Sequence, residues 1–155
     1  MGLRPLVSVS LNQQDINNLA DTLKDFSDKM GSKIIVNSMF SGGKIALEAA
    51  KIKVPVAEGE LEKSLDIIRL RKSEGLGARV LARRSKATPG GYYAHLVELG
   101  HRQVRKLRNG RILDLGHTPA QPFMRPAVEE NRDKIIEAIR AKAAAGIAKE
   151  IKKRG

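Results

Sequence analysis

The chain contains no cysteine and no tryptophan, and three phenylalanines and two tyrosines bring its aromatic content to only 3%. Without thiols there is no disulfide framework, no thiol nucleophile and no thiolate metal site, a pattern that fits a reducing compartment. Few aromatics argue against readers of single-stranded nucleic acid and RNA, which stack bases on exposed rings. No run of about 18 apolar residues occurs, which argues against a membrane span. The opening MGLRPLVSVSLNQQD is broken by Pro5 and two serines and lacks a signal-peptide pattern. The expectation is a protein made and used in the cytosol, or in something assembled there.

Chemistry-bearing constellations are equally scarce. His95, His101 and His117 are the only histidines, and no pair of them has helical metal-ligand spacing. Gly42, Gly43, Gly90 and Gly91 match neither the P-loop nor the dinucleotide pattern, and no serine sits in a nucleophile elbow. Asp66, Glu74, Glu98 and Asp114 are too scattered to suggest a metal-dependent nuclease. No catalytic residue, cofactor or metal is expected.

What the chain does have is positive charge. Its 155 residues, enough for a single domain, carry 29 Lys and Arg against 17 Asp and Glu, a formal net charge of +12. The charge is concentrated: between Arg69 and Arg111 twelve cations face only Glu74 and Glu98. Arg83, Arg84, Lys86, Arg102, Arg105, Lys106, Arg108 and Arg111 are the candidates for a surface facing DNA or an acidic protein. Such a field attracts without reading bases.

Hydrophobic spacing predicts an α+β fold: an antiparallel sheet of about four strands with two N-terminal helices and a long C-terminal helix packed on it. Residues 1–11 read as an arm or short strand around Leu6, Val7 and Val9. Ile16, Leu19, Leu23, Phe26 and Met30 mark a helix over about 12–30, with Gly31 as its stop. A second helix is expected over 32–53, where Gly42-Gly43 suggests a kink, a break, or close approach by another chain. SLDIIRLRK (64–72) and GARVLARRS (77–85) alternate as a hairpin, with Leu65, Ile67 and Arg69 sharing a face. A third strand is expected near Tyr92–Leu99, and Asn109-Gly110 should turn a further hairpin. Its segment 102–111, rich in like charges, is expected to be mobile before assembly. The last helix should run unbroken from about Pro122 to Lys152, with Val128, Ile135, Ile139, Ala143, Ile147 and Ile151 along its apolar stripe.

The chain is organised around Tyr92–Asp133, where YYAHLVELG leads through the basic loop to TPAQPFMRPAVEENRD. Pro119, Pro122 and Pro126 punctuate the start of the last helix. Phe123 and Met124 then either plug the core or also shape a surface used by a neighbouring subunit. Tyr92, Tyr93, Val97, Glu98, Phe123, Met124 and Arg125 are the candidate subunit-interface residues.

Three motifs, in order, carry a resemblance over about residues 32–150. They are Pro55, Gly59, Leu61 and Ser64; then Tyr93, Val97, Glu98 and Gly100; then Pro122-Phe123-Met124-Arg125-Pro126-Ala127. Together they resemble the tail-completion or minor tail component family of long-tailed double-stranded DNA bacteriophages, proteins of the neck where tail meets head. The resemblance implies a non-enzymatic virion protein, present in the host cytoplasm during assembly, that forms a ring, expected to be hexameric. Implied partners are further copies of itself, the tail tube protein and the head connector or stopper, with transient nonspecific contact to double-stranded DNA and no membrane. The competing reading is a small basic nucleoid-type DNA-binding protein. Against it stand the apolar stripe of the last helix and the acids Glu129, Glu130 and Asp133 in its early turns.

Overall fold

The computed structural model describes residues 8–9, 14, 28–55, 59–70 and 74–154. Helix α1 (Asp28–Lys53) is central. Its residues Ile34, Ile35, Met39, Ala46, Leu47 and Ala50 recur every three or four positions and are all buried, while Lys33, Lys44 and Glu48 face outward. The short helix α2 (Glu60–Ser64) leads directly into strand β2 (Leu65–Arg69), which pairs antiparallel with β3 (Ala78–Ala82). The two-residue strand β1 (Ser8–Val9) pairs with the other edge of β3, giving the order β1-β3-β2. Leu65 and Ile67 pack toward α1. Arg69, on the same face, donates to Asn37 Oδ1 at 3.1 Å and lies over the Phe40 ring at 5.4 Å. The α+β class and the 65–82 hairpin are therefore as the alternation predicts.

After a single 3-10 turn (Pro89–Tyr92) come helix α3 (Ala94–Leu99), the strand pair β4 (His101–Lys106) and β5 (Ile112–Thr118), helix α4 (Met124–Glu129) and helix α5 (Arg132–Arg154). Helix α5 lies along α1, and Ile135, Ile139 and Ala143 enter the same core as Phe123, Met124 and Ala127.

Four expectations need correction. The segment at Tyr92–Leu99 is a helix. Its buried pair Ala94 and Glu98 is spaced by four, and Gly100 at φ 71° ends it. Short apolar runs do not separate strand from helix by pattern alone. The strands form two sheets rather than one, because β4 and β5 pair only with each other. The last helix is broken at Glu130–Asn131. There Asn131 Nδ2 donates to the Ala127 carbonyl (3.0 Å), the acceptor its own backbone N–H would use in a continuous helix. Finally, Gly31 does not stop a helix: it is buried inside α1. A glycine costs about 1 kcal/mol there, and burial of Ile34 and Ile35 just beyond it outweighs that. The rest of the helix expected over 12–30 lies outside the described residues.

The Gly42-Gly43 pair does not break α1, which runs uninterrupted through it. A Cβ on Gly42 would sit 2.6 Å from Ile139 Cγ1 of α5, and one on Gly43 would strike Ile67 Cδ1 of β2. The close approach is therefore made by this chain's own elements, with α1 wedged between α5 and the sheet. Gly42→Val should lower stability by roughly 2–3 kcal/mol, because overpacking against Ile135 and Ile139 exceeds the gain in helix propensity. Chemical denaturation checks this; an unchanged midpoint would mean that α5 shifts freely.

Candidate functional site

Two neighbouring features hold most of the residues singled out in the sequence; Arg83, Arg84 and Lys86 lie apart from both, after β3. The first is a corner where α3 meets α4. Glu98, 8% exposed, points its carboxylate at the start of α4: Oε2 accepts from the N–H of Phe123 (2.7 Å) and of Met124 (3.0 Å), and Oε1 from that of Arg125 (3.2 Å). Helix N-termini leave such donors unpaired, and no side chain of α4 itself caps them. The same corner is tied by Gln121 N–H to Val97 carbonyl at 2.8 Å. Phe123 is fully buried and Met124 nearly so, both in the chain's own core, and Val97 packs against that core. Of the seven interface candidates, Tyr92, Tyr93 and Arg125 are exposed, while Glu98, Phe123 and Met124 act from beneath the surface.

The second feature is the hairpin that leaves this corner at Gly100 and returns at Pro119. Residues 102–117 are exposed throughout, so the hairpin projects from the body. Its turn forms as Asn109-Gly110 predicts. Leu107 N–H bonds the Arg111 carbonyl at 2.8 Å, Gly110 takes φ 82°, and Asn109 Oδ1 accepts from Arg111 N–H at 3.1 Å. A bulge between Gln103 and Val104 shifts the register.

The basic candidates fall into two groups. Arg83, Arg84 and Lys86 follow β3, and Arg83 is held by Asp66 at 2.5 Å. Arg102, Arg105, Lys106, Arg108 and Arg111 lie on the hairpin, where Arg102 binds Asp114 Oδ2 through Nη2 (2.6 Å) and Nε (3.0 Å). The field is thus partly neutralised by acids just outside the basic segment.

Hydrogen bonding from Arg102, then from the Gly116 N–H, holds the Asp114 carboxyl below the ordinary aspartate value of 3.8. A lowered folded-state pKa means that the stabilisation is present above the unfolded value and is lost as pH falls through the folded one. Expected is an Asp114 carboxyl carbon that titrates below 3.8 by NMR and rises toward it in Arg102→Gln.

Sequence reasoning missed the apolar rows between these cations. Val104, Ile112, Leu113 and Leu115 are 45–71% exposed on the hairpin. The signal was present in the two runs that flank Asn109-Gly110, Val104–Leu107 and Arg111–Leu115, whose apolar side chains the count of charges over 102–111 overshadows. Among the described residues no three His, Asp or Glu side chains converge as metal ligands, and no helix is long and apolar enough to cross a membrane.

A family model described as "Bacteriophage HK97-gp10, putative tail-component" matches residues 17–100, more than half of the chain. The chain belongs to the HK97-gp10-like family. This is a family of phage tail components, not of enzymes. Its match runs from within the N-terminal region through α1, α2, the β2–β3 pair and α3, ending at Gly100 where the hairpin begins, and leaves β1 outside. The HK97-gp10-like part therefore contains Glu98, whose carboxylate fixes the segment beyond the match. No curated protein and no solved structure matches the chain.

Proposed function

We propose that this tail component is a non-enzymatic, single-domain subunit of the phage neck, forming a hexameric ring at the head-proximal end of the tail and joining it to the head connector or stopper. The observation that carries the reading is the projecting β4–β5 hairpin, exposed on both faces beside a rigid corner, in a chain of a tail-component family. In this reading Tyr92, Tyr93 and Arg125 present a subunit interface whose shape Val97, Glu98, Phe123 and Met124 fix from beneath. Arg105, Arg108 and Arg111 line the channel and attract passing DNA without reading bases. The tail tube protein and the connector cover the two ends of the ring, and subunits await assembly in the host cytoplasm.

Light scattering at low and high salt, with and without duplex DNA, tests this. A ring, or a monomer that ignores DNA at moderate salt, fits the neck protein. A stable dimer whose tight duplex binding falls steeply with salt would replace the reading with a nucleoid-type DNA-binding protein. In the free subunit the hairpin opens readily, since a two-stranded hairpin without a packed face is marginal. Its amides should exchange fast in the monomer and slowly in the ring; protection in the monomer would refute this.

A further inference from the structure

Between the first half of α1 and the second half of α5 lies a hollow of about 240 Å³, lined by Ile34, Asn37, Lys142, Ala145, Gly146 and Lys149. Gly146 lets the helices close on each other here, since a Cβ at this position would meet Ile34 Cγ2 at 3.1 Å. Lys142 and Lys149 are exposed, and neither makes an ion pair among the described residues. Seven positions apart, they stand on one face of α5, about 10 Å from each other along its axis. No carboxylate lines the hollow. The neighbours three and four positions from each lysine are alanine, isoleucine, glycine or lysine, and Glu150 is buried and holds Lys153 at 3.2 Å. Asn37 has a fixed polarity. Arg69 Nη2 donates to its Oδ1 at 3.1 Å, and because a guanidinium can only donate, the amide oxygen is turned to Arg69 and the NH₂ away from it.

The polar side chains of this face are donors, and their charge is uncompensated, so what complements them is an anion. We infer that this face of α1 and α5 binds the backbone phosphates of duplex DNA, with Lys142, Lys149 and Arg69 supplying charge and the Asn37 NH₂ a neutral donor. An acidic protein surface would be held through an apolar or aromatic anchor. The hollow offers none: Ile34 is 7% exposed, and none of the exposed large hydrophobic residues lines it. Phosphate contacts need only cations and polar donors. Single strands are held by stacking bases on free rings. Phe40, three residues along α1 from Asn37, is half-buried and has Arg69 and Lys44 against its ring at 5.4 and 5.7 Å. Both lysines lie outside the basic segment 69–111, so this is a second cationic face, on the rigid body and separate from the hairpin. Three charged contacts make a weak, salt-sensitive attachment, losing about 40-fold in affinity between about 50 and 200 mM salt. A free chain that ignores DNA at moderate salt is therefore consistent with it.

Fluorescence anisotropy of a labelled duplex, titrated with the full chain over a series of salt concentrations, tests this. Lys142→Gln/Lys149→Gln should make the plot of log affinity against log salt shallower by about 2 and weaken binding roughly tenfold or more at about 50 mM salt. Lys142→Arg/Lys149→Arg keeps the charge and should keep the slope. Asn37→Asp leaves an acceptor for Arg69 but turns a second oxygen to the hollow, and should weaken binding several-fold without lowering the urea unfolding midpoint. Lys63→Gln/Lys134→Gln removes the same charge outside the hollow and should leave the slope unchanged. An unchanged slope in Lys142→Gln/Lys149→Gln overturns the inference, as does an equal loss in the Lys63/Lys134 pair, which would assign the attraction to net charge alone. A single strand that binds more tightly than the duplex overturns it too. So does polyglutamate that displaces the duplex at equal charge, which would assign the face to an acidic protein. The inference goes beyond the ring reading and does not need it. A ring whose lysine variants keep the slope removes this face and leaves the ring, whereas a shallower slope in a chain that never closes keeps the face and removes the ring.

Discussion

Glu98→Ala should cost about 3 kcal/mol or more of folding stability, since each buried N–H left without its acceptor costs about 1–3 kcal/mol. The expected size follows from geometry. Three backbone N–H groups, of Phe123, Met124 and Arg125, converge on one carboxylate that is 8% exposed. Alanine leaves all three without this acceptor, with Phe123 fully buried beside them. Glu98→Gln separates charge from shape. Its single amide oxygen can replace Oε2 for two of the bonds, but its NH₂ then faces the Arg125 N–H, so a loss of about 1–2 kcal/mol is expected. Urea unfolding of the isolated chain measures both. A residue used only at a subunit interface would leave the unfolding midpoint of the monomer where it was, so Glu98→Ala within about 1 kcal/mol of wild type would show that these three bonds do not hold the corner.

What the sequence made legible follows the reach of each signal. Period-two alternation over 65–82 and the helical spacing in α1 are local patterns enforced by one buried face, and both elements form as read. Asn109-Gly110 also works locally, through backbone angles, and its turn is in place. YYAHLVELG failed because it is too short for periodicity to arbitrate, and because its deciding contact, Glu98 with residues 123–125, lies about 25 positions away. The break at Asn131 depends on a polar side chain preferring the Ala127 carbonyl, a choice that an apolar stripe on either side conceals. Glycines 42 and 43 announced a special position but not the neighbour that needs it. Among the interface candidates, sequence could not divide exposed Tyr92 and Tyr93 from buried Phe123 and Met124, since that depends on which side of α4 meets α1.

The hairpin belongs to this same account. Its strands begin and end at the two segments that Glu98 holds together: α3 runs into Gly100 and β4, and β5 returns through Pro119 to Phe123. Its base is therefore anchored by the Glu98 bonds and by Gln121 N–H to Val97 carbonyl, although little holds its length. A projecting arm with a fixed base and an unsupported tip can search for a partner over a small angle without unfolding the body. In the proposed ring, loosening the corner should cost assembly as well as stability.

Gly91→Ala should cost at least about 3 kcal/mol, placing it among the most damaging small substitutions available in this chain. The conformation of this glycine is not the reason, since it does not take positive φ. The reason is space. A Cβ at Gly91 would run into the carbonyl group of Arg83 where β3 ends, and one at Gly90 into the backbone of Glu60 and Leu61 in α2. In both cases the obstacle is main chain. A flexible side-chain end can swing aside, but the Arg83 carbonyl already accepts from Thr88 Oγ1 at 3.0 Å, so moving it also disturbs the turn that delivers Gly91. The glycine pair thus lets the 3-10 turn lie against α2 and the end of β3, setting where α3 and Glu98 begin. Gly110→Ala is the control. That residue has φ 82° but nothing within 4 Å of an added Cβ, so only backbone strain of about 1 kcal/mol is expected. In thermal unfolding the two should differ by several degrees, since each kcal/mol is worth roughly 2–4 °C in a chain of this size. Equal shifts would show that the turn against α2 and β3 gives way without cost, and with it the rigid base from which the hairpin is launched.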